Sequence, residues 1–343
     1  MDPIGWFASE LFTFGTLADL LIWTAIVLFL LAGLIEWRGH RSGDRQLVER
    51  ARTISVAAFV VFGFFWLNVF PYFAFDHQSY IEGILSLAGF PLSLYTGYQL
   101  YRGRDSLFIL SRAIGVMGLI YMPFETIPAM TIAGVEFPEP RQVLIELVAV
   151  KTAFFIDLLG YTPEFTESPE GYRAGFLWTL EGGHTYRISV VLACTGIGSM
   201  AIFGGLITSV NAPIGRKLRA LAVSIPLIYA LNLVRTTFIV VVSGNQYMHW
   251  FPDLVLFLFG ESNPYRVSFL VSDRILSQTG AVIALMVITY LVVRQLPELL
   301  VVLEDLLYLL TGNEYDLQGA IDLPREPVAT DPALADDRPA ADD

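Results

Sequence analysis

Cys194 is the only cysteine in this 343-residue chain, and it opens an apolar stretch as Ala193-Cys-Thr-Gly-Ile-Gly-Ser-Met. Two later apolar stretches each carry a single arginine, Arg235 and Arg274. A lone thiol forms no internal disulfide, and its thiolate is a nucleophile. Arginine in hydrocarbon is expensive and marks a functional site. A guanidinium stays charged at neutral pH, so neither arginine accepts a proton. Each is suited to holding a thiolate, or to binding a tetrahedral oxyanion, a carboxylate or a phosphate. If Cys194 stands in the first turn of a helix, the unpaired amides of Thr195, Gly196, Ile197 and Gly198 favour the thiolate. Gly196 and Gly198 also let a substrate carbonyl approach those amides as in an oxyanion hole. The competing reading makes Cys194 a small buried residue and the glycines helix-packing positions, with Ala201, Gly205 and Ser209 forming a close-approach face.

Polar neighbours accompany each arginine. Asn232 and Thr236 share a helix face with Arg235, and Ser277 and Gln278 lie beyond Arg274. Asp273 does not face its neighbour Arg274 on a helix and is expected to orient another arginine from the adjacent turn. Of the four histidines, His40 falls on the cytoplasmic side. His77, His184 and His249 fall on the opposite side, and His184 and His249 are candidates to assist proton transfer. Arg187 and Arg266 are expected outside as substrate or surface contacts. Arg112 is expected to snorkel near the inner face.

The elements that position these residues are membrane helices. Hydrophobic residues make up 55% of the chain and charged residues 16%, and apolar runs of about 20 residues recur, the length needed to cross a bilayer. The expected fold is an all-α polytopic membrane protein with about seven spans. They are Leu17 to Glu36, Ile54 to Phe75, Ile81 to Leu100, Leu107 to Phe124, Cys194 to Val210, Leu218 to Val242 and Val267 to Val293. An eighth is the alternative if Tyr247 to Gly260 crosses instead of lying on or re-entering the outer surface. Leu299 to Leu310 reads as a cytoplasmic interfacial helix. No Lys or Arg precedes the first span, so it is expected to be a permanent anchor. The basic groups at Arg38 to Arg52, Arg102 and Arg104, Arg216 to Arg219, and Arg294 place one set of loops in the cytoplasm, with the N-terminus outside.

Residues 1–312 form the expected transmembrane domain, with an extracytoplasmic insertion over 125–190. In it Pro140 to Gly160 reads as a helix along the membrane surface. Phe176 to Leu180 and Thr185 to Val191 read as a hairpin turned by Glu181 to His184, whose second strand leads into Cys194. Depth follows from counting to the nearest cytoplasmic marker. Cys194 is 17 residues from Asn211, Arg235 is 16 from Arg219, and Arg274 is 20 from Arg294. At the helical rise these are about 26, 24 and 30 Å, which puts all three in the outer third of a hydrocarbon core about 30 Å thick. Residues 313–343 hold nine acids and two bases, more than half of the net charge of −12, and read as a solvated, disordered cytoplasmic tail. Two lysines in all and acid-rich loops suit a high-salt organism.

Ala193-Cys194-Thr195-Gly196-Ile197-Gly198-Ser199, Asn232-Leu-Val-Arg235 and Ser272-Asp273-Arg274, taken together, resemble the exosortase/archaeosortase family of membrane transpeptidases across nearly the whole chain. The resemblance implies Cys194 as nucleophile, with Arg235 and Arg274 completing a Cys-Arg-Arg site; many bacterial relatives have histidine at the third position. It also implies substrates that are membrane-anchored exported proteins ending in a Pro-Gly-Phe signal, a transmembrane helix and a basic tail. That tail is removed at the outer face and the new C-terminus passes to an archaeal phospholipid. No cofactor, metal or nucleic-acid partner is expected. A different class also fits the residues: an anion or lipid transporter whose intramembrane arginines bind cargo while Cys194 is incidental.

Overall fold

The computed structural model describes residues 15–76, 80–132, 134–180 and 183–320. His77, the turn residues Glu181 and Gly182, and the acidic tail beyond residue 320 lie outside the described residues.

The chain is mostly helical. Helix α1 (Thr16–Ser42) ends where Gly43 takes a left-handed conformation at φ 66°, and α2 (Arg45–Pro71) starts at once because Asp44 accepts hydrogen bonds from the amides of Gln46 and Leu47. This cap satisfies amides that the first helical turn leaves unpaired. A π-helical turn, Tyr72–Asp76, prolongs α2. Next come α3 (Tyr80–Tyr101) and α4 (Leu107–Thr126), a two-stranded sheet of β1 (Met130–Ile132) and β2 (Val135–Phe137), and α5 (Pro140–Leu158). Strands β3 (Glu164–Thr166), β4 (Gly175–Thr179) and β5 (Thr185–Ser189) form an antiparallel sheet in that order. A 3-10 turn, Leu192–Thr195, precedes α6 (Ile197–Ser209). Then follow α7 (Ile214–Gly244), α8 (Pro252–Phe259), α9 (Pro264–Gln295) and α10 (Leu299–Thr311).

Among the described residues five helices are long and apolar enough to cross a membrane: α1, α2, α4, α7 and α9. The other two expected spans are helical but fall short for different reasons. Helix α3 has 22 residues, and Pro91, Tyr95, Tyr98, Gln99 and Tyr101 lower its hydropathy. It nonetheless packs along α2: a Cβ on Gly83 would come within 3.2 Å of Ala74, one on Gly89 within 2.7 Å of Trp66, and one on Gly97 within 3.2 Å of Phe59. The bounds expected for the span from Cys194 to Val210 are corrected to Ile197–Ser209. Helix α6 has 13 residues, about 20 Å at the helical rise, because Gly196 turns the backbone left-handed at φ 77° and divides it from the turn that carries Cys194. Helix α8, with 8 residues, is too short to cross, so the eight-span alternative gains no crossing from it.

The basic loops converge on one end of the bundle. Arg52 bonds Asp105 at 2.7 Å, Arg104 bonds Asp305 and Glu314, Arg112 reaches Asn211, and Arg216 pairs with Glu298. Arg112 does not snorkel as expected: its Nη1 donates to Glu36 Oε2 at 2.7 Å, and Glu36 is 5% exposed. Burying a carboxylate demands such a partner. Close helix approach is set by small residues, as expected for Gly205: a Cβ there would sit 2.6 Å from the Ala113 carbonyl oxygen.

The insertion packs on the other end. Ile145, Val148 and Ala149 of α5, Phe176 and Trp178 of β4, and Leu233, Val240 and Val241 of α7 share one core cluster, with Cys194 packed against it. Trp178 lies so close over Gly244 that any Cβ at that position would collide with the indole. The opposite side of α5 leaves Leu147, Val150, Phe154 and Leu158 exposed, the kind of apolar face that a helix on a membrane surface turns toward lipid.

Candidate active site

Strand β5 delivers the chain to the cysteine: Val190 N–H donates to the Ala174 carbonyl at 2.9 Å, and the Cys194 amide then bonds Val191 O at 2.8 Å within the turn. Thr195 closes that turn from inside. It is wholly buried, its hydroxyl donates to Leu192 O at 2.7 Å, and its Oγ1 accepts from the Ile197 amide at 3.4 Å. Two features therefore differ from the sequence expectation. Cys194 stands two residues ahead of Gly196, the N-cap of α6, rather than in the first helical turn. Ile197 N–H, one of the four amides expected to be unpaired, is already taken. Gly196 is required where it is: its φ of 77° suits glycine, and a Cβ would lie 3.2 Å from Asn232.

Helix α7 clamps the cysteine backbone from the opposite side. Asn232 Nδ2 donates to the Cys194 carbonyl, and Thr236 Oγ1 lies 3.1 Å from the same oxygen and 2.9 Å from Asn232 O. These residues flank Arg235 on one helix face, so the contacts that place Cys194 also set its position relative to the guanidinium. Arg235 Nη2 donates to Asp273 Oδ1 at 2.7 Å, with the two side chains 27% and 14% exposed. Asp273 thus pairs with an arginine of another helix, where the sequence reading looked to the adjacent turn. It also lies 3.7 Å, through Oδ2, from Nε of adjacent Arg274, a proximity the helical reading had set aside. The segment is π-helical over Leu270–Ser277, so its wider turns change the angular spacing of neighbouring side chains. Ser272 meets Ser243 of α7 at 3.1 Å and fixes the same junction.

Arg274 itself is 49% exposed, and Asp273 is its ion-pair partner among the described residues. His184 is exposed and stacks on Tyr265 with centroids 4.0 Å apart. His249 is exposed between α7 and α8. Neither histidine hydrogen-bonds Cys194. Arg187 is exposed on β5, and Arg266 pairs with Glu261. Among the described residues no three His, Cys, Asp or Glu side chains cluster as metal ligands.

Cys194 lies on the turn outside the membrane-spanning helices. Burial pushes its thiol up from the ordinary range, while the Val191 contact and the charge of Arg235 pull it down and Asp273 pushes it up. Burial is the largest of these effects, so the net shift is upward. Beside the turn, a cavity of about 660 Å³ runs between α7 and α9, lined by Ala193, Gly196, Asn232, Arg235, Phe238 and Gly280 among others. Its walls are mostly apolar, and Arg235 is the charged side chain in them. Sequence reasoning had no signal for this cavity, which exists because Ser277, Gly280, Ala281 and Ala284 leave one side of α9 bare.

The profile of the transmembrane exosortase family matches residues 18–262, a span that takes in Cys194 and Arg235 and ends before Arg274. Archaeosortase A of Haloferax volcanii is 55% identical over 309 residues, covering 90% of this chain and 99% of its own length. Archaeosortase A of Natronomonas pharaonis is 39% identical over 295 residues, covering 84% of this chain and 88% of its own length. No solved structure matches.

Proposed function

The chain belongs to the transmembrane exosortase family of polytopic membrane enzymes, and from that premise we propose that it is a cysteine transpeptidase that processes the C-terminal sorting signals of membrane-anchored proteins. Cys194 is the nucleophile, Arg235 and Arg274 are its charged partners, and Asp273 is a positioning residue between them. The observation that carries this reading is the joint clamp on the cysteine turn. Asn232 and Thr236 hold the Cys194 carbonyl from the helix face that presents Arg235.

In the first half-reaction the ionised sulfur of Cys194 bonds to the scissile carbonyl carbon. The resulting oxyanion is held by Arg235 and backbone amides around Gly196 and Gly198. The C–N bond then breaks, the departing amine takes a proton, and a thioester remains. In the second half-reaction a lipid hydroxyl or amine attacks the thioester and loses its proton, the C–S bond breaks, and sulfur is regenerated. The proton released from the Cys194 thiol as the sulfur attacks is the one the departing amine takes, and the proton lost by the lipid nucleophile returns to the sulfur. Binding in the cavity brings a peptide carbonyl and excludes water, and both strengthen the attraction of Arg235 for a developing charge.

Seven crossings accompany this reading: the five long apolar helices, α3, and the 13-residue α6, which leads from the cysteine turn back to the arginine-rich end. Helices α2 and α4 both begin at the arginine-rich end, so α3 returns the chain across the bilayer despite its modest hydropathy. The positive-inside rule makes that end cytoplasmic and puts Cys194 at the outer face. The family resemblance implies an archaeal phospholipid as acyl acceptor. The transporter reading gives no role to the hold of Asn232 and Thr236 on the Cys194 carbonyl, and Asp273 already pairs with Arg235, one of the two arginines it would use for cargo.

Replacing Cys194 by Ala or Ser tests the proposal. Processing of a reporter with a C-terminal signal is expected to fall to background. Wild-type protein mixed with that reporter is expected to carry a hydroxylamine-labile acyl mass on the Cys194 peptide. Undiminished processing by Cys194→Ser sinks the enzyme reading.

A further inference from the structure

We propose that the arginine-rich end of the bundle carries a second site, distinct from Cys194, that holds the phosphate headgroup of an anionic phospholipid from the adjoining leaflet. Two neighbouring cavities share Trp37, Arg112 and Asn211. One, of about 540 Å³, is polar and also touches Glu36, His40 and Arg41. The other, of about 340 Å³, runs beside Phe29, Leu30, Leu34 and Val116 and is edged by Lys217. A charged chamber that opens onto an apolar groove has the shape of a lipid, with a headgroup above and chains below.

The charge balance selects the sign of the headgroup. Gly33 lets the stem of Arg112 lie across α1, since a Cβ there would meet Arg112 Cγ at 2.8 Å. The guanidinium then spends its charge on buried Glu36 at 2.7 Å, with Asn211 at 3.3 Å. Two cations are left over. Arg41 lies 5.4 Å over the Trp37 ring and has no carboxylate partner among the described residues. Lys217 donates to the Thr208 carbonyl at 2.8 Å and makes no ion pair among the described residues. The lining thus carries three cations against one carboxylate, an excess that attracts an anion. Basic pockets between membrane helices bind anionic lipid headgroups on the same grounds. Trp37, about half exposed, provides the amphipathic ring that settles at headgroup depth. A free phosphate fits the chamber but leaves the groove empty, and this favours the lipid.

The test is native mass spectrometry of the full chain released from detergent with phosphatidylglycerol or phosphatidylcholine of matched chains. Wild type is expected to retain phosphatidylglycerol preferentially. Each cation near an anionic headgroup is worth about fivefold, so Arg41→Gln with Lys217→Gln is expected to weaken retention about 25-fold. Arg294→Gln, at the same end but beside a different cavity, is expected to retain lipid as wild type does. Equal retention of phosphatidylcholine, an unchanged double variant, or an equal loss in Arg294→Gln overturns the site. Displacement of the lipid by millimolar inorganic phosphate shows a free-anion pocket instead and also overturns it. Both substituted residues are at the surface and outside the Glu36–Arg112 pair. Retained processing activity in the double variant checks its fold, so failure here is distinguishable from failure of the cysteine chemistry.

Discussion

Removing the two side chains that hold the Cys194 carbonyl is expected to produce a non-additive loss. Asn232 donates to that oxygen, and Thr236 has one hydroxyl proton to share between it at 3.1 Å and Asn232 O at 2.9 Å. In wild type, Asn232 therefore carries the bond and Thr236 supplements it. Asn232→Ala lets Thr236 turn its proton to Cys194, so the loss is that of one hydrogen bond, about 1 kcal/mol. Thr236→Val leaves Asn232 in place and costs a similar amount or less. The double variant leaves a part-buried carbonyl with neither donor, and an unmet acceptor of this kind costs about 1–3 kcal/mol. Set against single losses of about 1 kcal/mol or less each, the coupling between the two sites is then up to about 2 kcal/mol. At about 2.1 cal/mol/K per residue over 343 residues, each kcal/mol is about 1.4 °C of melting temperature, so the coupling shows as up to about 3 °C. Processing is expected to fall much further than the folded fraction does, because a displacement of about 1 Å at a reacting atom costs about 100-fold in rate. Intrinsic tryptophan fluorescence during heating in detergent gives the stability arm, and single-turnover cleavage of a C-terminal reporter gives the rate arm. Additive melting shifts, or a rate that tracks the folded fraction alone, refute the idea that these residues position the nucleophile.

The ion pair beside the thiol gives two opposed shifts in the pH profile of Cys194 alkylation. Burial and Asp273 push the thiol up and Arg235 pulls it down, so Arg235→Gln is expected to move the alkylation midpoint to higher pH and Asp273→Asn to lower pH; shifts of the same sign in both variants contradict this electrostatic arrangement. Because the thiol is raised, wild-type alkylation is expected to accelerate as pH rises above neutrality and to slow below it. Gly244→Ala drives a methyl into Trp178; the expected effect is a loss of about 1–3 kcal/mol, as for overpacked cores, with increased protease sensitivity in residues 160–190, and unchanged proteolysis counts against docking of the β-sheet on α7. Arg112→Gln strands Glu36 as a buried charge and is expected to destabilise by about 3–5 kcal/mol, whereas Glu36→Gln with Arg112→Gln is expected to be milder; equal melting losses in the two proteins contradict a buried pair.

Cys194, Arg235 and Arg274 stood out from residue type alone, because a lone thiol and arginines in apolar stretches conflict with their surroundings enough to demand a reason. Membrane class, the basic end of the bundle and the hairpin leading to Cys194 were also legible, since length, charge and alternation are local properties of a chain. Tertiary structure decided how those residues meet. No periodicity shows that Gly196 ends the cysteine turn and shortens α6, because a left-handed residue before an apolar run looks the same as glycine inside a helix. Nor does spacing show that the Cys194 carbonyl is held by Asn232 and Thr236, or that Asp273 reaches Arg235 from a π-helical stretch. Each depends on the rotation and separation of two helices far apart in the chain. Arg112 is the plainest case. Alone in sequence it is a cation near an interface, and only packing across Gly33 turns it toward Glu36. Residue chemistry thus named the groups able to react, while helix packing determined which of them share a space and which are neutralised before any substrate arrives.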